Sequence, residues 1–139
     1  MVHGLSHMTF IVRDLDRMES VLTGVLGARK VYDSGEATFS LSKERFFLIG
    51  QGPDALWIAA MEGEPLPGRT YNHIAFKINA DEYETYLQRI RGLGLELREG
   101  RSRVEGEGQS IYFYDHDNHM FELHTGTLGE RLARYAAGR

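Results

Sequence analysis

Ser6-His7-Met8-Thr9-Phe10-Ile11-Val12 returns 66 residues later as Asn72-His73-Ile74-Ala75-Phe76-Lys77-Ile78. Both stretches read polar, His, apolar, small, Phe, variable, aliphatic. An internal repeat of this kind governs the fold before any single element does. Each copy alternates as a strand does, with Met8, Phe10 and Val12 on one face and His7 and Thr9 on the other. The second copy puts Ile74, Phe76 and Ile78 against His73, Ala75 and Lys77. The segments after the two copies are also alike. Asp14 can cap a helix with Leu15, Met18, Leu22 and Val25 on one side, ended by Gly27. After Asn79-Ala80-Asp81, a second helix turns Tyr83, Leu87 and Ile90 inward and ends at Gly92 and Gly94.

Short strand-like runs come next, at about 29–33, 37–41, 45–50 and 56–61 in the first half. In the second half they fall at 95–99, 110–114 and 120–125, and residues 115–119 form the hairpin turn between the last two. The reading is βαβββ twice. Module one covers about 4–62, Pro65-Leu66-Pro67-Gly68 lies in a linker over 63–69, and module two covers about 70–126. A terminal helix follows over about 128–137. A unit of about 60 residues buries too little surface to stand alone, so the modules are expected to pack as one domain over 1–139. The fold class is α+β, with helices on one face of curved mixed sheets.

Composition narrows the function. The 139 residues are 42% hydrophobic and 26% charged, which fits a globular chain and not a disordered one. No apolar run reaches the ~18 residues of a membrane span, and the first residues do not read as a signal peptide. With no cysteine, thiolate catalysis and zinc–sulfur sites are excluded, and a cytoplasmic location fits. A net charge of −4 and a pI near 5.8 argue against nucleic acid as a partner.

The face opposite the apolar rows carries the chemistry. In the last strand Phe121 and Leu123 point to the core, while Met120, Glu122 and His124 point away. In its hairpin partner Ser110, Tyr112 and Tyr114 point away as well. If the sheet curls into a trough, His7, His73 and Glu122 converge inside it. Two imidazoles and one carboxylate make a facial metal triad with open positions, suited to Mn²⁺, Fe²⁺, Ni²⁺, Co²⁺ or Zn²⁺. The remaining histidines read as bland: His3 near the terminus, His116 and His119 solvated in the turn, and His124 a packing residue, although its shared face with Glu122 also suits a partner that supports a metal ligand.

With these residues in place the chain resembles a known family. His-x-Thr in the first strand, Asn-His-Ile-Ala-Phe in the fifth and Tyr-Phe-Tyr-Asp-x-Asp-x-His-x-x-Glu-Leu-His at the end are similar to the vicinal oxygen chelate superfamily. The Gly106–Tyr112 stretch and the tail from Glu122 to Leu132 resemble its fosfomycin-resistance proteins. The resemblance implies that His7, His73 and Glu122 bind the metal. It implies a module-swapped homodimer, in which His7 of one subunit joins His73 and Glu122 of the other. It implies that Thr9 lies beside the epoxide of the substrate, and that Ser110, Tyr112 and Arg131 hold its phosphonate. Tyr71 immediately precedes the His73 strand and is expected to line the same pocket. Where the thiol-transferase branch has a lysine and a serine-bearing loop, this chain has Arg101-Ser102-Arg103-Val104-Glu105-Gly106, and Arg101 or Arg103 is expected to stand in for the lysine. The branch that hydrates the epoxide prefers Mn²⁺ and uses a glutamate base, and Glu44 stands at that position.

The chemistry is coherent. A Lewis acid on the epoxide oxygen eases ring opening. Water needs a base within hydrogen-bond reach. Glu44, in Ser42-Lys43-Glu44-Arg45-Phe46-Phe47, is a carboxylate among bulky residues, although pairing with Lys43 or Arg45 at the surface is the plainer role for it. The expected function is Mn²⁺-dependent hydration of fosfomycin to a diol. Its rivals are thiol transfer to the same substrate, another superfamily chemistry such as glyoxalase-type isomerisation, and a drug-binding protein without catalysis.

Overall fold

A computed structural model describes residues 1–99 and 107–138. Arg101 and Arg103 lie outside the described residues. The chain divides into two compact units: residues 1–68 with the hairpin tip 116–118, and residues 69–115 with 119–139.

In the first unit β1 (His7–Val12) leads through α1 (Leu15–Gly24) to β2 (Arg29–Asp33), β3 (Glu44–Ile49) and β4 (Leu56–Glu62). Asp14 caps α1 by accepting a hydrogen bond from the Arg17 backbone N–H. The sheet order is β1-β4-β3-β2, with β1 parallel to β4 and the other pairs antiparallel. A parallel pair needs a long crossover, and α1 with β2 and β3 supplies it. Met8, Ile58 and Phe47 stand abreast in the register, and α1 covers their face with Met18, Val21 and Leu22. Phe47, Ile58, Val12 and Leu22 are fully buried there. Arg45 extends from the same face toward α1 and lies within 2.8–3.2 Å of Asp16, Glu19 and Asp33. Burial works against its charge, but the hydrogen bond that Arg45 donates to Asp16 and the charges of the three carboxylates outweigh it and hold the guanidinium above its ordinary pKa.

The second unit repeats the plan. β5 (His73–Lys77) leads through α2 (Tyr83–Gly92) to β6 (Leu97–Arg98), β7 (Ser110–Tyr114) and β8 (Met120–His124). The order is β5-β8-β7-β6, again with the first and last strands parallel. Ile74, Phe121 and Leu123 belong to the inner rows, and Phe113, Phe121, Leu123 and Ile90 are fully buried. α3 (Leu128–Ala137) is capped by Thr127 and Glu130, each bonded to the other's backbone N–H. No described helix is long and apolar enough to cross a membrane. The two mixed four-stranded sheets with their helices make the α+β fold expected from the repeat.

Two expectations fail. Residues 37–41 alternate like a strand but form bends, and Phe39 and Leu41 are 81% and 91% exposed. β2 and β3 pair directly with each other, Asp33 facing Arg45, so this segment is the connection between two adjacent strands and joins neither. His119 is not solvated. Its Nδ1 lies 2.7 Å from Oδ2 of buried Asp115, whose Oδ1 accepts from the His119 backbone N–H. Asn118, at φ 71°, makes the tight turn of this hairpin.

The packing of β3 on α1 is open to a direct test. Phe47→Ala should cost about 3–5 kcal/mol, the usual range for a buried Phe truncation, read from the urea midpoint. An unchanged midpoint would mean that the Phe47 row does not hold the first unit together.

Candidate metal centre

Strand register places the chemistry. In the second unit Ala75 faces Glu122, and Glu122 faces Tyr112, while His73, Met120 and Tyr114 form the adjacent row. His73, Glu122, His124, Ser110 and Tyr112 therefore share the face turned away from the inner rows. Glu122 is 7% exposed, so its carboxylate depends on its immediate neighbours.

Those neighbours constrain the protons. His73 Nδ1 lies 2.7 Å from the Tyr71 carbonyl, which can only accept. Nδ1 must carry a hydrogen there, which leaves Nε2 as the ring atom that faces Glu122. Nε2 stands 3.0 Å from Glu122 Oε1, a contact satisfied by a proton on Nε2 or by a metal cation held between the two atoms. The donor set, an imidazole held by its far nitrogen and a carboxylate held by a hydroxyl, fits a divalent metal. The hydroxyl is that of Ser110, 2.5 Å from Glu122 Oε2. Tyr71 covers the imidazole with its ring, 4.8 Å between centroids, and its hydroxyl meets that of Tyr112 at 3.3 Å. The Arg98 guanidinium lies over the Tyr71 ring at 4.8 Å.

In the first unit His7, Thr9 and Ile11 share a face with Trp57, Ala59 and Met61 on β4. Leu48, Phe46 and Glu44 on β3 continue it. His7 stacks on Trp57 at 4.2 Å, and Trp57 meets Phe46 edge-on at 5.3 Å. Trp57 Nε1 is buried with no hydrogen-bond partner, an unused donor beside His7. Glu44 is 8% exposed and pairs with neither neighbour: Lys43 reaches Glu36 and Glu62, and Arg45 reaches Asp16, Glu19 and Asp33. Among the described residues Glu44 makes no ion pair.

Of the residues singled out from sequence, His73, Glu122, Ser110, Tyr112 and Tyr71 gather in the second unit, and His7, Thr9 and Glu44 share a face in the first. Among the described residues of one chain no three His, Asp or Glu side chains form a metal-holding group. Arg131, on α3, has its Nε 3.6 Å from buried Glu107 Oε1. Trp57 was not singled out from sequence, because its place opposite His7 is set by a strand register that the sequence does not state. His124, read as a packing residue, has its Nδ1 2.7 Å from Ser110 Oγ.

The family model for the Glyoxalase/Bleomycin resistance protein/Dioxygenase superfamily matches residues 4–123. The fosfomycin resistance protein FosX of Mesorhizobium japonicum is 62% identical over 138 residues, spanning 99% of this chain and 96% of its own. FosX of Listeria innocua is 58% identical over 135 residues, spanning 97% and 98%. The crystal structure of a FosX variant from Listeria monocytogenes, complexed with Mn(II) and 1S,2S-dihydroxypropylphosphonic acid, superposes with a TM-score of 0.85. It is 52% identical and covers 97% of this chain and 99% of its own.

Burial, the hydrogen bond to Tyr71 and the charge of Glu122 push the Tyr112 phenol well above the ordinary tyrosine range. The folded state thus favours the neutral phenol. That contribution is fully present below the unfolded pKa of about 10 and is lost as pH rises from there toward the folded value. Tyr112→Phe should flatten the alkaline fall in stability, measured by urea unfolding between about pH 8 and 11, a span around the ordinary tyrosine value. An identical fall in both proteins would show that the phenol titrates normally.

Proposed function

The chain belongs to the glyoxalase/bleomycin resistance/dioxygenase superfamily and, within it, to the FosX fosfomycin resistance proteins, and we propose that it adds water across the epoxide of fosfomycin, with Mn²⁺ as cofactor. The observation that carries this reading is the His73–Glu122 convergence, a cation-binding pair on the face that also bears Ser110 and Tyr112. The relative crystallised with Mn(II) and a dihydroxypropylphosphonic acid supports both the metal and the diol product.

His73 and Glu122 would hold the metal, with His7 as third ligand from a second copy of the chain in a module-swapped dimer. Bound there, the ion would stabilise negative charge on the epoxide oxygen as the ring opens. Glu44 takes a proton from the attacking water as the new C–O bond forms and the epoxide C–O bond breaks. A proton returned to the ring oxygen completes the net addition of water. The pairing of its neighbours supports this role: Lys43 and Arg45 are both engaged with other carboxylates, so Glu44 keeps its lone pairs for a substrate water. Tyr112, held neutral, remains a hydrogen-bond donor toward an anionic group. Thr9 lies two residues along β1 from His7 on the same face and would flank the epoxide. Tyr71 lines the His73 side, and Arg131 offers a guanidinium to the phosphonate in exchange for Glu107. The same reading places the enzyme in the cytoplasm, which cell fractionation checks.

Purified protein with Mn²⁺, fosfomycin and no thiol should yield a product heavier by one water. Product only when a thiol is supplied, and carrying it, would overturn hydration in favour of thiol transfer. Glu44→Gln should bind Mn²⁺ normally and lose roughly 10²–10⁴-fold in hydration rate, the usual worth of a positioned base. Near-normal hydration by that variant would put the proton elsewhere. His7→Ala and Glu122→Ala should each be inactive, and mixing them under conditions of subunit exchange should restore part of the activity. No recovery between subunits shown to exchange would place the three ligands within one chain.

A further inference from the structure

On the face around Glu122, the proposed reaction leaves the imidazole of His124 without a task. His124 sits two residues beyond Glu122 on β8 and directly opposite Ser110 on β7. Its Nδ1 is 2.7 Å from Ser110 Oγ, and Ser110 Oγ is 2.5 Å from Glu122 Oε2. The direct His124–Glu122 approach is longer, at 3.3 Å. Hydrogen-bond polarity along this chain is determined by valence. An ionised carboxylate only accepts, so the single hydroxyl proton of Ser110 goes to Glu122. The serine oxygen then has lone pairs left, and the hydrogen in the second contact comes from His124 Nδ1. The ring cannot easily present its other edge: a side chain at Gly126 would lie 2.8 Å from His124 Nε2, so that edge fills the space the glycine leaves.

We propose that His124 is a positioning residue for the metal-binding carboxylate, acting through Ser110. By donating to Ser110, it makes the hydroxyl a committed donor to Glu122 Oε2. The carboxylate plane is then held with Oε1 toward His73 Nε2, the pair that would hold the ion. Without the imidazole, the serine hydroxyl is free to rotate toward other acceptors, and Glu122 loses the contact that selects which oxygen faces the metal. Partners of this kind orient metal ligands and are worth 10–100-fold in affinity. Ser110 is reassigned along with His124, because its one proton cannot serve the carboxylate and a substrate phosphonate at once. This role for His124 rests on the reading of His73 and Glu122 as metal ligands.

The test is Mn(II) binding to metal-stripped protein, followed by the electron paramagnetic resonance signal of free Mn(II). His124→Leu should raise the dissociation constant about 10–100-fold. His124→Asn, whose side-chain amide can place an N–H near the position of Nδ1, should recover most of that loss. Ser110→Ala should match His124→Leu, and the double variant should be no worse than either single one, because both break one chain. Circular dichroism and the thermal midpoint establish that each variant is folded. Wild-type affinity in folded His124→Leu would overturn the proposal. So would His124→Asn as weak as His124→Leu, or losses that add in the double variant. Wild-type protein that takes up no Mn(II) would instead overturn the metal reading itself, a result visible before any variant is compared.

Discussion

Each unit depends on the parallel pairing of its first strand with its last. β1 lies beside β4 and β5 beside β8, and that register decides which side chain faces which. Ala75 opposite Glu122 puts the carboxylate one row from His73. Because side chains alternate with period two, a slip of one residue would send Glu122 into the hydrophobic rows and Leu123 out of them. The apolar rows prevent the slip. Phe121 and Leu123 are fully buried between strands that send Ile74 and Phe113 the same way. The core thus sets the geometry of the site as much as it stabilises the fold.

The repeat copies the backbone and not the chemistry. His7 and His73 occupy equivalent positions, and the same offset of 66 residues relates Glu44 to Ser110 and Phe46 to Tyr112. Ala59, opposite Thr9, holds the place that Glu122 holds opposite Ala75. One sheet therefore offers an imidazole beside a tryptophan and an unpaired carboxylate. The other offers an imidazole beside a carboxylate that is already hydrogen-bonded. The same two sheet positions carry different proton inventories. Ser110 can donate to a ligand carboxylate, while Glu44, at the matching position, can only accept unless it is protonated. The repeat thus keeps the strand register while a few outward residues differ between the units.

Much of this was legible in the sequence because it is periodic. The His-containing strands, the helix spaced by Leu15, Met18 and Leu22, and the outward row of Glu122 and Tyr112 all follow from alternation or from a 3.6-residue period. What failed was not periodic information. Residues 37–41 alternate correctly, but alternation does not say which segments pair, and the chain closes β2 directly onto β3 with these residues as the loop between them. His119 reads as a solvated turn residue until the turn is closed, when Asp115 four residues earlier takes both its backbone N–H and its ring. His124 was visible on the right face. Its partner depends on which residue of β7 lies opposite, and the sequence does not state that register.

The second sheet's outward face is buried and polar at once, and this combination is the physical signature of a built site. Met120, Tyr112 and Tyr114 cluster there with little exposure, and Glu122 lies among them. A carboxylate in such surroundings is costly unless every lone pair has a partner. Oε2 has the Ser110 hydroxyl, itself backed by His124. Among the described residues Oε1 faces Nε2 of an imidazole whose Nδ1 hydrogen is committed to the Tyr71 carbonyl. The polar network is complete on one side and open on the other, and the open side is where positive charge is most favoured. A network arranged this way gives selectivity along with affinity. Thiophilic ions gain nothing from it, whereas an ion content with imidazole and carboxylate ligands gains two atoms already aimed at one point.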